Sequence, residues 1–289
     1  MTDVSKPDTR LKDRLASKEF FVVPGVHDMI AAVMAERAGF DVVYGSGYWT
    51  TASAYGLPDT GIVTYTQMLD RMATVKKTIS SALIADADTG FGGLLNVHHT
   101  VKGYEAAGIS AIQLEDQEFP KKCGHTPGKR VVPAEDMVEK IKVAAEAREE
   151  MLIIARTDAY QTYGLDETLR RLEAYDKAGA DILFPEAITT EEEMRKVCET
   201  FDKPIMVNVA NGGVTPPLKA QEFAEIGFAF SIYPSLSSLV SAAAMEKAYA
   251  LLRDEGDGEP SDPPLFDFRE FCGLIGFEEV WAFDKKWAR

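Results

Sequence analysis

The sequence predicts an α/β protein folded as a (β/α)₈ TIM-type barrel, and three observations support this prediction. Apolar runs of strand length alternate with amphipathic segments of helix length, which is typical of a parallel sheet with crossover helices. Eight such units follow one another within 289 residues, and closing eight parallel strands into a barrel leaves no strand edge exposed. No Gly-x-Gly-x-x-Gly motif opens the first unit, so an open doubly wound sheet is less well supported.

The individual elements follow from the same alternation. Strands are predicted over the apolar runs 20–25, 41–47, 82–90, 111–116, 151–159, 180–187, 203–210 and 227–234. Helices are predicted over 28–38, 64–80, 97–107 and 134–149, with a helical segment after each of the last four strands and a long loop over 48–63. A glycine precedes several strands, as in ERAGFDVV and EAAGISAI, because glycine readily adopts the left-handed conformation that ends a helix.

The two ends of the chain differ in character. Residues 1–254, with a polar helical lead-in, are expected to form the catalytic barrel, and residues 255–289 a linker and a C-terminal helical arm. The linker is rich in Gly, Pro and acid, as exposed connections are. The arm carries many aromatic side chains, and one barrel has no interior left to bury them. We therefore expect the arm to pack on its own barrel or to be swapped between the subunits of a homo-oligomer, a homotetramer built as a dimer of dimers.

The composition excludes several classes of protein. Thirty-one Lys and Arg stand against 46 Asp and Glu, a net charge of -15, so a nucleic-acid partner is not expected. No signal-peptide core is present, and no run approaches the ~20 apolar residues of a spanning helix, so no membrane partner is expected either. Three cysteines form no disulfide framework, which favours a reducing compartment and a cytoplasmic protein; Cys198 and Cys272 are expected in the core or an interface.

A loop that follows the fourth strand carries the most reactive side chains. The segment DQEFPKKCGHTPGKR (116–130) combines Cys123 with Lys121, Lys122 and His125. Nearby cations favour the thiolate, so Cys123 is a candidate for catalysis. The alternative is that Cys123 is a small core residue beside a solvated basic turn.

Polar residues stand where most of the predicted strands end, which is the position of active sites in barrels of this kind. Asp86 and Asp88 are two apart on a strand and are expected on one face, with Glu115 on the neighbouring strand. Their oxygens suit Mg²⁺, or Mn²⁺, although two aspartates can also cap a turn. Arg156 can bind a carboxylate through two hydrogen bonds, or pair with Asp158 or Glu186. These groups indicate a site for a small oxyacid.

Several motifs together resemble one family over essentially the whole chain. KKCGHTPGK (121–129) resembles the Lys-Cys-Gly-His loop of the carbon-carbon lyases of the isocitrate lyase/phosphoenolpyruvate mutase superfamily. Further blocks of that superfamily match in order: Ser46-Gly47, ASAYGLPDTG (52–61), DADTGFG (86–92), QLEDQ (113–117), ARTDA (155–159), LFPEA (183–187) and NV..GG.TP (208–216).

The resemblance implies a role for each of these blocks. It implies Mg²⁺ bound, partly through water, by Asp59, Asp86, Asp88 and Glu115. It implies that an oxoacid carboxylate is held by Ser46, the amides of Gly47 and Tyr48, and Arg156, and that Glu186 and Asn208 face a second carboxylate. Lys121, Cys123, Gly124 and His125 would belong to a mobile gating loop that closes over the substrate.

The reaction that the resemblance implies is a retro-aldol cleavage. A 2-hydroxy di- or tricarboxylate, of the substituted malate or 2-methylisocitrate type, would give a 2-oxoacid such as pyruvate and a carboxylate. Cys123 would protonate the carbanion, with Lys121 and His125 setting its proton affinity. The length is similar to that of the short 2-methylisocitrate and 2,3-dimethylmalate lyases.

Four residues bear on the choice within the superfamily. Pro234 favours carbon-carbon cleavage, because related oxaloacetate hydrolases tend to have serine there. Bulky Tyr48 and Trp49 either form one wall of the pocket or pack outward under the loop. Together with Asn211, where methylisocitrate lyases commonly have Glu, they favour a substituted malate over a tricarboxylate. The alternatives are an oxaloacetate hydrolase or decarboxylase and, in another class, a non-catalytic oxyacid-binding protein.

Overall fold

The computed structural model describes residues 8–126 and 128–288, and its sheet is a nearly closed parallel barrel. The strands are β1 (Phe21–Val26), β2 (Val42–Gly45), β3 (Ala82–Asp86), β4 (Ala111–Glu115), β5 (Leu152–Thr157), β6 (Ile182–Pro185), β7 (Met206–Asn208) and β8 (Phe230–Tyr233). They are ordered β6-β5-β4-β3-β2-β1-β8-β7. A single parallel bridge between Leu183 and Ile205 joins β6 to β7. The predicted (β/α)₈ class is confirmed.

The helices lie close to the predicted positions along the chain. They are α1 (Arg10–Ser17), α2 (Met29–Arg37), α3 (Gly47–Tyr55), α4 (Tyr65–Thr78), α5 (Leu94–Ala106), α6 (Ala134–Ala147), α7 (Tyr160–Lys177), α8 (Glu191–Thr200), α9 (Ala220–Ile226), α10 (Leu236–Glu255), α11 (Phe268–Leu274) and α12 (Phe277–Trp287). The predicted lead-in appears as α1, while residues 1–7 lie outside the described part of the chain.

Helix α3 corrects the prediction of a long loop over 48–63. Ser46 begins this helix, since its Oγ accepts a hydrogen bond from the Trp49 N–H at 3.4 Å, and Gly56 ends it with a φ of 62°. Its buried face consists of Gly47, Thr50 and Thr51, so no apolar periodicity marked the segment as a helix.

The core has two layers that leave one end of the barrel for polar groups. The interior is filled by strand side chains such as Phe21, Ile84 and Phe230, and Leu11 of α1 packs among those at the amino ends of the strands. The outer layer lies between the strands and the helices. The amino end of the barrel is therefore filled, and polar side chains collect at the carboxyl end, as the sequence predicts.

The chain divides into two compact units, one reaching to Ser237 and one beginning at Ser238. The second unit contains the predicted helical arm as α11 and α12, in which Cys272 is buried. Many of its apolar side chains are exposed, among them Phe268 at 78% and Trp287 at 62%. The predicted barrel limit at residue 254 remains a prediction, as does exchange of the arm between subunits. In the described residues, no helix is both long and apolar enough to span a membrane.

Candidate active site

A cavity of about 210 Å³ opens at the carboxyl ends of the strands and collects most of the predicted site residues. Those that line it are Ser46, Tyr48, Asp59, Asp86, Glu115, Lys121, Cys123, Gly124, His125, Arg156, Glu186 and Asn208. The other two lie directly behind the wall. A Cβ added to Gly47 would lie 2.7 Å from Asp86 Oδ2, and Asp88 pairs with Lys121. The structure thus brings every predicted site residue together, while their roles remain predictions.

The carboxylates at one side of the cavity are buried, but not by the geometry expected. Strand β3 ends at Asp86, and Asp88 has a φ of 48° in the turn that follows. The prediction that both aspartates lie on one face of a strand is therefore wrong. They meet because the turn folds back, so that the Asp88 N–H donates to Asp86 Oδ1 at 3.0 Å. Burial and the charge of Asp88 raise the pKa of Asp86.

Lys121 reaches from the loop into this carboxylate cluster. Its Nζ lies 2.5 Å from Asp59 Oδ1 and 2.7 Å from Asp88 Oδ1, and its side chain is only 3% exposed. Burial opposes its charge, but Asp88, Glu115 and the other carboxylates raise the pKa of Lys121 well above its ordinary value. Lys121 is thus a permanent cation that neutralises these carboxylates. The predicted role of Lys121 was to set the proton affinity of Cys123, whereas its contacts are with the carboxylates.

The same cluster suits a hydrated divalent cation. In residues 8–126 and 128–288, no three His, Cys, Asp or Glu side chains stand together as a complete set of direct metal ligands. Glu115 Oε1 is nevertheless buried without a hydrogen-bond partner, and burial raises the pKa of Glu115 well above its usual value. Mg²⁺ retains several waters and needs only one or two carboxylates, so the donor set fits Mg²⁺ held largely through water.

Arg156 forms the opposite side of the site, at the end of β5. Its Nε and Nη2 donate to Asp158 at 2.8 and 3.0 Å, and its Nη1 lies 3.2 Å from Glu186 Oε2. Burial opposes the charge, but Asp158, Glu186 and Glu115 raise the pKa of Arg156 well above its ordinary value. Both ion pairs considered as alternatives are therefore formed, and the guanidinium also lines the cavity.

The loop of residues 117–130, which we call the cysteine loop, covers this cavity. Antiparallel contacts between Gln117 and Val131 join its two ends. Within it, Cys123 is half-buried, and burial raises the pKa of its thiol although the His125 backbone N–H and Arg156 act in the opposite direction. The neighbouring Lys122 donates to the Gly128 carbonyl at 2.9 Å. The expected thiolate is thus not favoured, and the protonated thiol is the form at neutral pH.

His125 and Asn208 connect the cysteine loop to the strand ends. His125 Nε2 lies 3.1 Å from Asn208 Nδ2 and 3.6 Å from Glu186 Oε1, while the Val214 N–H donates to Nδ1 at 3.4 Å. Asn208 Nδ2 also donates to Glu186 Oε2 at 3.1 Å. These contacts hold the imidazole beside the groups predicted to face the second carboxylate.

Four further residues of the site were not predicted. Tyr44 donates a hydrogen bond to Gln113 Oε1 at 2.9 Å, below the carboxylate cluster. Both are polar residues within apolar strands, and this pattern could have identified them from the sequence. Lys129 is buried against Asp158, and nothing distinguishes it in the sequence from a solvated lysine. Ser235 Oγ accepts from the Asn211 N–H at 3.0 Å and donates to its Oδ1 at 2.9 Å.

Comparisons with known proteins agree with this geometry. The family model for phosphoenolpyruvate phosphomutase matches residues 11–253. The chain is 41% identical to 2,3-dimethylmalate lyase of Eubacterium barkeri over 96% of this chain and 97% of that protein. It is 38% identical to 2-methylisocitrate lyase of Bacillus subtilis over 97% of this chain and 93% of that protein. Both relatives are carbon-carbon lyases, which confirms the predicted enzyme class.

Solved structures give the same result. A crystal structure of 2,3-dimethylmalate lyase superposes with a TM-score of 0.91 at 34% identity, over 100% of this chain and 96% of that one. Oxaloacetate acetylhydrolase with 3,3-difluorooxalacetate gives 0.91 at 30% identity, over 96% of each chain. Phosphonopyruvate hydrolase with oxalate and Mg²⁺ gives 0.86 at 31% identity, over 96% of this chain and 98% of that one. The chain belongs to the phosphoenolpyruvate mutase/isocitrate lyase superfamily.

Proposed function

We propose that this protein is a Mg²⁺-dependent lyase that cleaves an alkyl-substituted malate into a 2-oxoacid, such as pyruvate, and a monocarboxylate. One observation carries the proposal: a single cavity is lined by the Cys123 thiol, whose pKa burial raises, by a buried carboxylate cluster and by a buried guanidinium. Retro-aldol cleavage uses each of these. The guanidinium orients one carboxylate, a carboxylate of the cluster takes the proton of the 2-hydroxyl as the carbon-carbon bond breaks, and the thiol gives a proton to the carbanion that forms.

The 2-oxoacid half of the substrate binds between α3 and β5 in this proposal. Ser46 and the amides of Gly47 and Tyr48 form the amino end of α3, where unpaired N–H groups favour an anion. Arg156 binds the same carboxylate from the other side. Asn208 and Glu186 face the second carboxylate, and His125 lies within hydrogen-bond distance of Asn208.

The carboxylate cluster is the proposed metal site. Asp86 and Glu115 would hold Mg²⁺ together with Asp59 and Asp88, partly through water. When bound, Mg²⁺ supplies Lewis-acid stabilisation of negative charge on the substrate oxygens. Mn²⁺ has the same ligand preference and is expected to substitute. The support is the burial of these carboxylates, the unpartnered Glu115 Oε1, and the Mg²⁺ in the phosphonopyruvate hydrolase structure.

Cys123 is the proposed general acid. Its raised pKa keeps a proton on Sγ at neutral pH, and that proton passes to the carbanion of the monocarboxylate product. The cysteine loop excludes water from the cavity, so the carbanion is protonated by the thiol in a fixed position. Lys121, which pairs with Asp59 and Asp88, completes the predicted catalytic set by balancing charge beside the reacting atoms.

A dicarboxylate is favoured over a tricarboxylate by the charges around the cavity. Of the described residues that line it, Lys121 and Arg156 already pair with carboxylates and Lys122 with a carbonyl. Tyr48 and Trp49 form an edge-to-face pair, with ring centroids 4.8 Å apart. A third carboxylate would have to displace one of these contacts to gain a cation, whereas an alkyl substituent can pack on the rings.

Oxaloacetate hydrolysis is the second candidate, because oxaloacetate acetylhydrolase has the same fold at 30% identity. Ser235 lines the cavity. It is next in sequence to position 234, where those hydrolases tend to have serine. However, its proton is already donated to Asn211 Oδ1, and Pro234 stands where the family resemblance predicts the serine of those hydrolases. These contacts favour carbon-carbon cleavage.

The assembly is part of the proposal as well. We expect a cytoplasmic homotetramer, a dimer of dimers, in which the helical arm is exchanged between subunits. The exposed aromatic side chains of α11 and α12 support this, since large exposed apolar surfaces are typical of interfaces. The three free cysteines support a reducing compartment.

A substrate panel tests the proposed function. Purified protein with Mg²⁺ would receive 2,3-dimethylmalate, other alkylmalates, 2-methylisocitrate or oxaloacetate, with pyruvate read by coupled NADH oxidation and all products by NMR. We expect kcat/KM to be highest for an alkylmalate and Cys123→Ser to remove most of it. Higher kcat/KM for 2-methylisocitrate would contradict the charge argument. Oxalate and acetate as main products would establish the hydrolase, and binding without turnover would establish a binding protein.

A further inference from the structure

We propose that Lys129 is a positioning residue that holds the cysteine loop closed and couples its closure to the anion affinity of Arg156. The catalytic consequence rests on the proposed function, whereas the closure itself does not. Lys129 does not line the cavity, so it acts through the groups that it contacts and not on the substrate.

The burial of Lys129 is unusual for its segment. Its side chain is 1% exposed, whereas that of the next residue, Arg130, is 76% exposed. A buried ammonium is costly unless it is paired and fully hydrogen-bonded. Lys129 meets this condition only in the closed position of the loop, because its partners are a loop carbonyl and a carboxylate at the end of β5.

The contacts of Lys129 fix the peptide that covers Arg156. Its Nζ donates to the Gly124 carbonyl and, at 2.8 Å, to Asp158 Oδ1. Gly124 in turn lies directly on the guanidinium, since a Cβ added there would be 2.2 Å from Arg156 Nη2 and 2.9 Å from Glu186 Cγ. One ammonium therefore joins the cover of the cavity to its floor.

The same contacts change the charge available to an anion. Asp158 accepts two hydrogen bonds from Arg156 and a third from Lys129, so one carboxylate serves two cations. When the loop opens, Lys129 leaves, and Arg156 is then the only cation that Asp158 still contacts. Closure thus restores positive charge beside the bound carboxylate, and the substrate is held more tightly in the closed state than in the open one.

Removing Lys129 should leave the fold intact, which makes the test clean. Asp158 keeps its two hydrogen bonds from Arg156 and its backbone bond to Asp116 Oδ1 at 2.9 Å, so no buried charge is left unpaired. Lys129→Met removes the ammonium and Lys129→Gln keeps a shorter donor, while Lys129→Arg keeps the charge. Arg130→Met is the matched control, because it removes a cation from the adjacent exposed position.

The first measurement is the rate at which iodoacetamide alkylates Cys123 in the Mg²⁺-loaded protein, followed by peptide mass spectrometry with Cys198 as the internal reference. We expect Lys129→Met and Lys129→Gln to raise the Cys123 rate about tenfold or more, Lys129→Arg to restore much of the protection, and Arg130→Met to leave the rate near wild type. An unchanged Cys123 rate in both variants, or an equal rise in Arg130→Met, would overturn the proposal. So would failure of both variants to fold, since Lys129 would then be a structural residue.

The second measurement is the division of the effect between kcat and KM on the best alkylmalate. Because the closed complex predominates in the wild type in this proposal, a weaker closure equilibrium lowers kcat/KM and raises KM, whereas partial misfolding lowers kcat alone. We expect the combined pattern in Lys129→Met, with KM in Arg130→Met unchanged; a fall in kcat at constant KM would overturn the proposal. If wild type cleaves no substrate of the panel, the proposed function fails, and the alkylation rates still decide whether Lys129 closes the loop.

Discussion

Replacing Gly124 by alanine is the most direct steric test of how the cysteine loop closes. The added Cβ would lie 2.2 Å from Arg156 Nη2, more than 1 Å inside the ordinary contact distance of roughly 3.5 Å. The backbone of Gly124 does not have a positive φ, so alanine introduces no torsional strain. Its effect comes from the clash alone.

The size of the effect follows from what the clash displaces. Either the loop stays open, or the guanidinium moves and loses a hydrogen bond to Asp158. A hydrogen bond to a charged group contributes about 1.5–3 kcal/mol, so a loss of about 2–3 kcal/mol corresponds to a fall of roughly 30- to 150-fold in kcat/KM. The free energy of unfolding should hardly change, because the loop can remain open in solvent.

The assay compares kcat/KM on the best alkylmalate for wild type, Gly124→Ala and Gly93→Ala, together with urea unfolding of each. Gly93→Ala is the matched control, since a Cβ there meets nothing within 4 Å. We expect it to retain wild-type kcat/KM. If Gly124→Ala stays within about threefold of wild type, the closed position of the loop is not the one in which catalysis occurs.

Three further predictions concern the acid, the metal and the buried network behind the site. Burial raises the pKa of Cys123 and the thiol is the active form, so kcat/KM should stay level through neutral pH and fall only on the alkaline side of the ordinary thiol pKa of about 8.5. Cys123→Ser should lower kcat about a hundredfold or more and should also abolish this alkaline decrease. An alkaline decrease that persists in Cys123→Ser would belong to another group. Removing Mg²⁺ with EDTA should abolish turnover. Returning Mg²⁺ at 100 times its Kd should stabilise the wild type against thermal unfolding by about 2.7 kcal/mol, whereas Asp86→Asn should gain little stability from Mg²⁺. An equal stabilisation of both proteins would place the metal elsewhere. Tyr175→Phe removes the hydroxyl that donates to buried Asp116 at 2.8 Å and should lower the free energy of unfolding in urea by about 1–3 kcal/mol. The control Tyr163→Phe, at an exposed position, should lower it by about 0.5 kcal/mol or less. Equal losses in the two variants would mean that the Tyr175 hydrogen bond contributes nothing.

The fold could be predicted because its signals are local. Each apolar run and each helix pattern is read within about ten residues, and the polar residue that ends a strand is next to it in the chain. Helix α3 escaped because its buried face is made of Gly47 and threonines, which have no apolar period. The orientation of Asp88 escaped because a left-handed turn, not the strand, directs its side chain.

The partners of the long cationic side chains could not be predicted, for a different reason. Lys121 pairs with Asp59, and Lys129 with Asp158, which are far from them in sequence. Nothing in the local composition distinguishes these two buried lysines from exposed Lys122. Only the closed position of the loop defines their surroundings, and that position depends on where the ends of several strands lie.

The position of the loop and the charge balance of the site are therefore linked. In the structure the loop lies over Asp59, Asp88 and Asp158, which are buried, and an unpaired buried carboxylate is costly. The loop brings the cations that remove this cost, Lys121 for one side of the cavity and Lys129 for the other. Cys123 lies between these lysines in the chain, so the burial that they make favourable also raises its pKa. The burial that separates the thiol from water is thus also what raises its pKa.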